Sequence, residues 1–292
     1  MKVKTYNLVS NVEQEELDAG LLAESYVVET TDGKNVTLPS MFESEIREDL
    51  VRSAVHASRA NRRQAYGHNE HDCKRAAQPG MKHSVEWWGK GRGVSRIMRK
   101  TGQRTGAQNP HTRGGRRAHG PKVAKDWSQK LNSKQRTLAR NSAIAATINP
   151  EMVSSRGHNF DEKIRFPIVI DGYKESRDGS TEKYDVESLP LQNSTRKFVA
   201  MMRGLGLGGD LDRAKSGRNI RAGKGTMRGR KYRTPKSILL VVASREGLHK
   251  AARNVPGVDV VAAKDLCAED LAPGGDMGRL TVWTKAAIEA ME

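Results

Sequence analysis

Cysteine is scarce. Cys73 and Cys267 are the only two among 292 residues, and they stand far apart in unlike sequence, which argues against a disulfide framework and suits a reducing compartment. Long apolar runs are also missing. The longest is Ile238 to Ala243, too short to span a bilayer, and Lys2 and Lys4 are followed by no apolar stretch of the kind a secretory signal needs. Acid is missing where base is abundant. From Arg213 to Lys236 there are ten Lys or Arg and no Asp or Glu, a local charge of +10. Between Arg59 and Lys125 seventeen basic residues face only Glu70, Asp72 and Glu86, a local charge of +14. By difference from the net +17, the remaining residues carry −7. The chain is a mildly acidic body with two basic appendages, and that asymmetry points to a polyanionic partner at two places.

At 36% hydrophobic the chain can bury one good core or two small ones. Lys2 to Val9 reads as a strand. Asn11 to Glu24 is acidic, with no clear apolar stripe. Short β-prone runs at Tyr26 to Glu29 and Asn35 to Leu38 flank Asp32-Gly33, a hairpin signal. Ser40 and Glu43 have capping-box spacing, and Phe42, Ile46, Leu50 and Ala54 recur every fourth residue, which predicts one helix running to about Asn61. From Gly67 to Lys125 the pattern dissolves into ten glycines and three prolines, a composition that cannot bury a core of its own. Beyond it, Asn132 or Ser133 can cap a helix carrying Leu138 and Ala143 to Ala146, ended by Asn149-Pro150.

The second half changes pattern. Phe166 to Asp171, Ser237 to Ala243, Val258 to Ala262 and Arg279 to Thr284 are continuous apolar runs, as in strands covered on both faces. Ser194 to Leu205, Gly247 to Asn254 and Asp265 to Leu271 read as helices between them, with Phe198, Met201, Met202 and Leu205 on one side of the first. Strand alternating with helix predicts parallel βαβ units and a three-layer α/β body. Residues 1–66 and 126–292 form that body, 67–125 is a long extended loop inserted in it, and 213–236 is a second basic loop.

Trp87-Trp88-Gly89-Lys90-Gly91-Arg92 sets two aromatics in a glycine-interleaved basic run, a pattern suited to stacking on bases while arginines fork onto phosphates. Arg221-Ala-Gly-Lys224-Gly-Thr-Met-Arg228-Gly-Arg230-Lys231-Tyr232-Arg233 resembles a phosphate loop only superficially: Gly217 to Gly223 is one residue too long, Gly225 stands where Ser or Thr is needed, and a strand follows instead of preceding. Gly204, Gly206 and Gly208 read as a helix stop. His68, His71, Cys73 and His83 lack the paired spacing of a zinc site, and no metal or cofactor is expected. Asp171 ends a strand where α/β enzymes place their chemistry, but no nucleophile elbow, paired carboxylates or Cys-His signature accompanies it.

A set of motifs makes a resemblance specific: Arg59-Ala60-Asn61-Arg62-Arg63 with Tyr66-Gly67; Trp88 to Arg92; Ser128 to Thr147; Arg156-Gly157-His158-Asn159-Phe160; Gly229 to Arg233 leading into Ser237 to Leu240; Ala251 to Asn254; Glu269 to Gly275; and Gly278 to Val282. Together they resemble the universal large-subunit ribosomal protein family "L-four", in its archaeal and eukaryotic form, from about residue 40 onward; two departures are the acidic segment Asn11 to Glu24, longer than the family leads one to expect, and Glu175 to Leu191, which is unmatched. The resemblance implies a Rossmann-like body on the outside of the large subunit, an extension threading its RNA to help line the peptide exit tunnel, and a cytoplasmic ribosomal location. The implied partners are large-subunit ribosomal RNA, neighbouring ribosomal proteins and the nascent peptide near the loop tip, with no membrane. Expected RNA contacts are Arg59, Arg62, Arg63, Trp87, Trp88, Lys90, Arg92, Arg96, Arg99, Lys100, Arg104, Arg113, Arg116 and Arg117 in the first appendage. In the second they are Arg221, Lys224, Arg228, Arg230, Lys231, Tyr232 and Arg233. The chain is read as no enzyme. An RNA-modifying or nucleotide-dependent enzyme on an α/β fold is the alternative, which requires a lined pocket near Asp171 and Ala243; an RNA chaperone acting off the ribosome is a third.

Overall fold

The computed structural model describes residues 1–12, 27–67, 84–107, 109–113, 118–177, 180–190 and 193–291. They fall into two compact units, 1–58 with 130–292 and 59–129. The strands in chain order are β1 (Lys2–Val12), β2 (Val27–Thr37), β3 (Val85–Trp87), β4 (Met98–Lys100), β5 (Ile168–Arg177), β6 (Ser180–Asp185), β7 (Asn219–Ile220), β8 (Tyr232–Arg233), β9 (Leu239–Val242), β10 (Asp259–Ala262) and β11 (Thr281–Thr284). The helices are α1 (Glu48–Asn61), α2 (Ser133–Ala146), α3 (Pro150–Ser155), α4 (Ser194–Gly204), α5 (Gly208–Ser216), α6 (Gly247–Ala252), α7 (Ala268–Leu271) and α8 (Lys285–Glu289). Among the described residues no helix is long and apolar enough to cross a membrane.

The first unit is built on a seven-stranded sheet in the order β10, β9, β11, β5, β1, β2, with β6 also paired to β5. The run from β10 to β1 is parallel, while β2 and β6 pair antiparallel. Alternation of side chains along each strand divides the core. Ile168, Ile170, Leu240, Val242 and Val282 face one way and pack with Phe198, Met201 and Met202 of α4 and Leu248 of α6. Val169, Leu239, Val241 and Trp283 face the other way and pack with Val51 and Val55 of α1, Ala139 and Ala143 of α2, and Ile288 of α8. Both faces are covered by helices, which is the three-layer α/β arrangement the alternating pattern predicts. β9 and β11 are buried at every position; β10, at the sheet's edge, is only half-buried.

Three local expectations are corrected. Asp32-Gly33 is no hairpin turn but a bulge within the unbroken β2: Lys4 faces Asn35 while Tyr6 faces Asp32, so β2 carries one extra residue there. Gly33 is suited to that place because a Cβ would collide with Thr5 Oγ1 of β1. The helix expected from Ser40 is two pieces, a 3-10 turn Ser40–Glu43 and then α1. The break carries Phe42 onto the edge of Trp283, ring centroids 5.1 Å apart, while Ile46 is left exposed and the buried stripe of α1 becomes Val51, Ala54, Val55 and Ala57. Leu138 of α2 is exposed as well, because the helix buries its alanine side. The chain ends α4 at Gly204, where the glycines at 204–208 predict a helix stop. Gly206, at φ +79°, reverses it into α5, which buries Leu211 and Ala214.

In the second unit, the expectation of a patternless chain from Gly67 onward is corrected for 84–107. β3 and β4 pair antiparallel, Trp87 opposite Met98, and the return strand bridges Arg99 to Gly106, with Ala107 donating its amide to Met98 O at 2.7 Å. Backbone pairing replaces the apolar periodicity that the sequence lacks.

Candidate nucleic-acid interface

In the second unit the hairpin sorts its aromatic and basic side chains by strand alternation. Trp87 stands 64% exposed. Trp88 is half-buried: its indole Nε1 donates to Glu86 Oε1 at 2.6 Å, and the guanidinium carbons of Arg92 and Arg99 lie 4.5 and 5.4 Å from its ring centroid. The two tryptophans are therefore not equivalent. Trp87 offers a free face to a base, whereas Trp88 holds the hairpin's own arginines. Arg99, also among the expected contacts, is only 8% exposed and donates to Ser95 O and Ser95 Oγ, both at 3.1 Å, and to Arg104 O. Lys90, Arg92, Arg96, Arg104 and Arg113 are exposed and Lys100 half-buried. Arg116 and Arg117 lie outside the described residues, as do His68, His71, Cys73 and His83.

The ends of this unit meet at a feature that pattern reading missed. Tyr66 stacks on Trp127 with centroids 4.6 Å apart, Lys125 and Arg63 sit 4.7 and 5.4 Å over the same indole, and Gln129 donates its amide to Asn61 Oδ1 at 2.8 Å. Gly67 packs so closely on the returning backbone that a Cβ would stand 2.5 Å from the Val123 amide nitrogen. The available signal was one aromatic at each end of the basic segment. Arg59, Arg62 and Arg63 are exposed beside this clamp.

In the first unit β7 and β8 form a short antiparallel ribbon, Ile220 opposite Tyr232. Its loop is ordered by its own backbone: Arg221 N donates to Lys231 O at 2.9 Å, and Arg230 N to Gly225 O at 2.9 Å. Arg221, Lys224, Arg228, Arg230, Lys231 and Arg233 are all exposed, and Met227 is 82% exposed at the tip. Tyr232 is exposed too, with Arg218 and Lys231 at 4.3 and 5.5 Å from its ring. The basic stretch expected from Arg213 to Lys236 is tied to acids of the body at both ends. Arg213 donates to Asp210 at 2.9 Å, and Lys236 sits 2.7 Å from Asp259. The seven cations from Arg218 to Arg233 enter no ion pair among the described residues.

Asp210 anchors the ribbon's approach. It is fully buried and accepts from Arg213 Nε, from the Asn159 amide at 3.2 Å and from Ser237 Oγ, and lies 3.1 Å from His158 Nδ1. Burial alone would raise its pKa, but the hydrogen bonds from His158, Arg213 and Ser237 outweigh that and hold the carboxyl at about 2.

The carboxyl ends of the central strands, where an α/β enzyme would bind its ligand, form a crevice of about 410 Å³. Asp171, Asp185, Glu187, Glu246 and Glu289 line it with Lys285, which lies 3.3 Å from Asp171. The donors suited to a phosphate are already engaged: Glu187 accepts from the Ala243 and Ser244 amides at 2.7 and 3.1 Å and from Thr284 Oγ1 at 2.6 Å. So acidic a lining repels nucleotide phosphates.

Comparison with known proteins agrees with the motif pattern. The model of the ribosomal protein L4/L1 family matches residues 36–292. The chain is 44% identical over 258 residues to the large ribosomal subunit protein uL4 of Halobacterium salinarum, covering 88% of this chain and 94% of that one. To the protein of the same name in Methanopyrus kandleri it is 44% identical over 262 residues, 88% and 92% of the two chains. To that of Archaeoglobus fulgidus it is 41% identical over 256 residues, again 88% and 92%.

Proposed function

The chain belongs to the ribosomal protein L4/L1 family, and from that premise we propose that it is a structural constituent of the large ribosomal subunit that binds ribosomal RNA through two basic surfaces. The ribbon between Arg218 and Arg233 carries the reading: seven cations that enter no ion pair among the described residues, on a loop ordered by its own backbone, with no carboxylate among them. Ordering the loop before binding lowers the entropy lost on contact. Arginines there fork onto phosphates, Tyr232 stacks, and glycines let backbone approach RNA closely. The 59–129 unit is the second surface, with Trp87 as its open stacking face and Lys90, Arg92, Arg96 and Arg104 on phosphates. In this reading 67–125 penetrates the folded RNA, its tip helps to line the peptide exit tunnel beside the nascent peptide, and neighbouring ribosomal proteins cover part of the body. The role is architectural and requires no cofactor, and the site of action is the cytoplasmic ribosome.

RNA held by phosphate contacts loses affinity steeply with salt, because each contact releases counterions. Replacing Arg228, Arg230, Lys231 and Arg233 with alanine is expected to flatten the slope of log affinity for large-subunit ribosomal RNA against log salt by about 3. An unchanged slope would remove the ribbon from the interface.

A further inference from the structure

Beside the foot of the ribbon the first unit carries a groove of about 640 Å³ lined by Arg156, Arg213, Arg233, Lys236, His158 and Asp276, among others. Its cations are held in place from behind. Arg213 donates Nε to Asp210 at 2.9 Å and an amino group to Lys236 O at 2.7 Å. Lys236 shares Asp259 with the buried Arg279, whose amino group lies 2.6 Å from the same carboxylate. Arg156 is fixed by neutral partners, donating to Pro273 O at 2.6 Å and to Asp276 O. Backbone carbonyls orient a guanidinium without cancelling its charge. Among the described residues at the groove and directly behind it, the six cations Arg52, Arg156, Arg213, Arg233, Lys236 and Arg279 face the four acids Asp210, Asp259, Asp270 and Asp276. Burial, and then the nearby charge of Arg279, push the Arg156 guanidinium below its ordinary pKa; Asp276 opposes this and Arg213 adds to it. An added anion relieves that excess of positive charge.

We propose that this groove is a preformed site for one phosphate oxyanion, with Arg156 and Lys236 as its principal cations. The inference rests on the RNA-binding reading for the source of that phosphate. Arg233 belongs both to the ribbon and to the groove wall, so an RNA strand gripped by the ribbon passes the groove mouth, and a backbone phosphodiester fills it. A free inorganic phosphate has the same chemistry and is the other source to distinguish.

The experiment uses the full chain, two groove variants, Arg156→Gln and Lys236→Gln, and a ribbon variant with Arg228, Arg230 and Lys231 changed to Ala. Binding to large-subunit ribosomal RNA is followed against salt, and the Tm is followed against inorganic phosphate. Each groove variant is expected to lower the salt slope by about 0.7 to 0.9, the value of one phosphate contact. Inorganic phosphate is expected to raise the Tm of the wild type and of the ribbon variant but not that of the groove variants. Should Arg156→Gln fail to fold for want of its carbonyl ties, Lys236→Gln, with its exposed side chain, still carries the test. If both groove variants keep the wild-type slope while the ribbon variant flattens it, the groove assignment is overturned and the RNA reading stands. If the wild type binds no RNA, the RNA reading fails; phosphate protection lost in Lys236→Gln would then assign the groove to free phosphate, and no protection would overturn the groove as well.

Discussion

Asp210 and Trp283 show what individual residues contribute, and neither role could be read in the sequence. Asp210 sits three residues before Arg213 in a segment that looks like the start of a basic loop. Only the fold brings His158 and Ser237 to it. Because its folded pKa of about 2 lies below the ordinary 3.8, the ionised form stabilises the folded chain. That contribution is complete above pH about 4 and is lost as pH falls from 3.8 toward 2, amounting to about 2 kcal/mol. Asp210→Asn is therefore expected to cost about 3 kcal/mol near neutrality, and the gap from wild type should shrink as the pH is lowered from 4 to 2. Urea unfolding at a series of pH values checks both, and a gap independent of pH would contradict the ion-pair account. Trp283, fully buried and edge-on to Phe42, acts through volume instead. Trp283→Ala is expected to cost about 3 to 5 kcal/mol, measured by the same unfolding, with no change in the salt slope of RNA binding.

Elements were legible where burial on both faces wrote a continuous apolar run. Leu239–Val242 and Thr281–Thr284 lie inside the sheet, and every position is apolar or a threonine whose hydroxyl is hydrogen-bonded. They were illegible where backbone alone does the work. β3, β4, β7 and β8 are only two or three residues long, so no period announces them, and Gly33 gives the same signal in a bulge as in a turn. Among the expected RNA contacts, charge identified the exposed arginines but not which one turns inward: Arg99 and Arg96 look alike until a strand puts Arg99 against its own carbonyls. The clamp of Tyr66 on Trp127 is likewise set by where the segment closes. An aromatic pair of this kind contributes about 1 kcal/mol. Trp127→Ala is expected to speed trypsin cleavage at Arg62, Arg63, Lys122 and Lys125 several-fold, through easier local opening, while the Tm stays within about 1 °C of wild type. Cleavage at the wild-type rate would mean that the pair does not hold the segment's ends.

Across the molecule, charge and core are kept in different places. Among the described residues, neither core cluster includes a side chain from 59–129, and the −7 remainder belongs to the residues outside the two basic stretches. The asymmetry of charge was readable from the first count of residues, and it pointed to the partner's chemistry before any fold was known. Deleting 67–125 and bridging with a short Gly/Ser linker is expected to leave a single cooperative thermal transition, since loop length changes folding entropy little; loss of the transition would place that segment in the core. The same variant should bind ribosomal RNA more weakly and with a flatter salt slope. The central claim, that the chain is built into the large subunit and not a passing visitor to RNA, is tested most directly by sedimentation. Large subunits from the source organism are washed in molar salt, which strips proteins held by surface charge alone, and the pellet is assayed for the chain by mass spectrometry. The account predicts that the chain stays with the particle in stoichiometric amount; its quantitative release into the supernatant would contradict it.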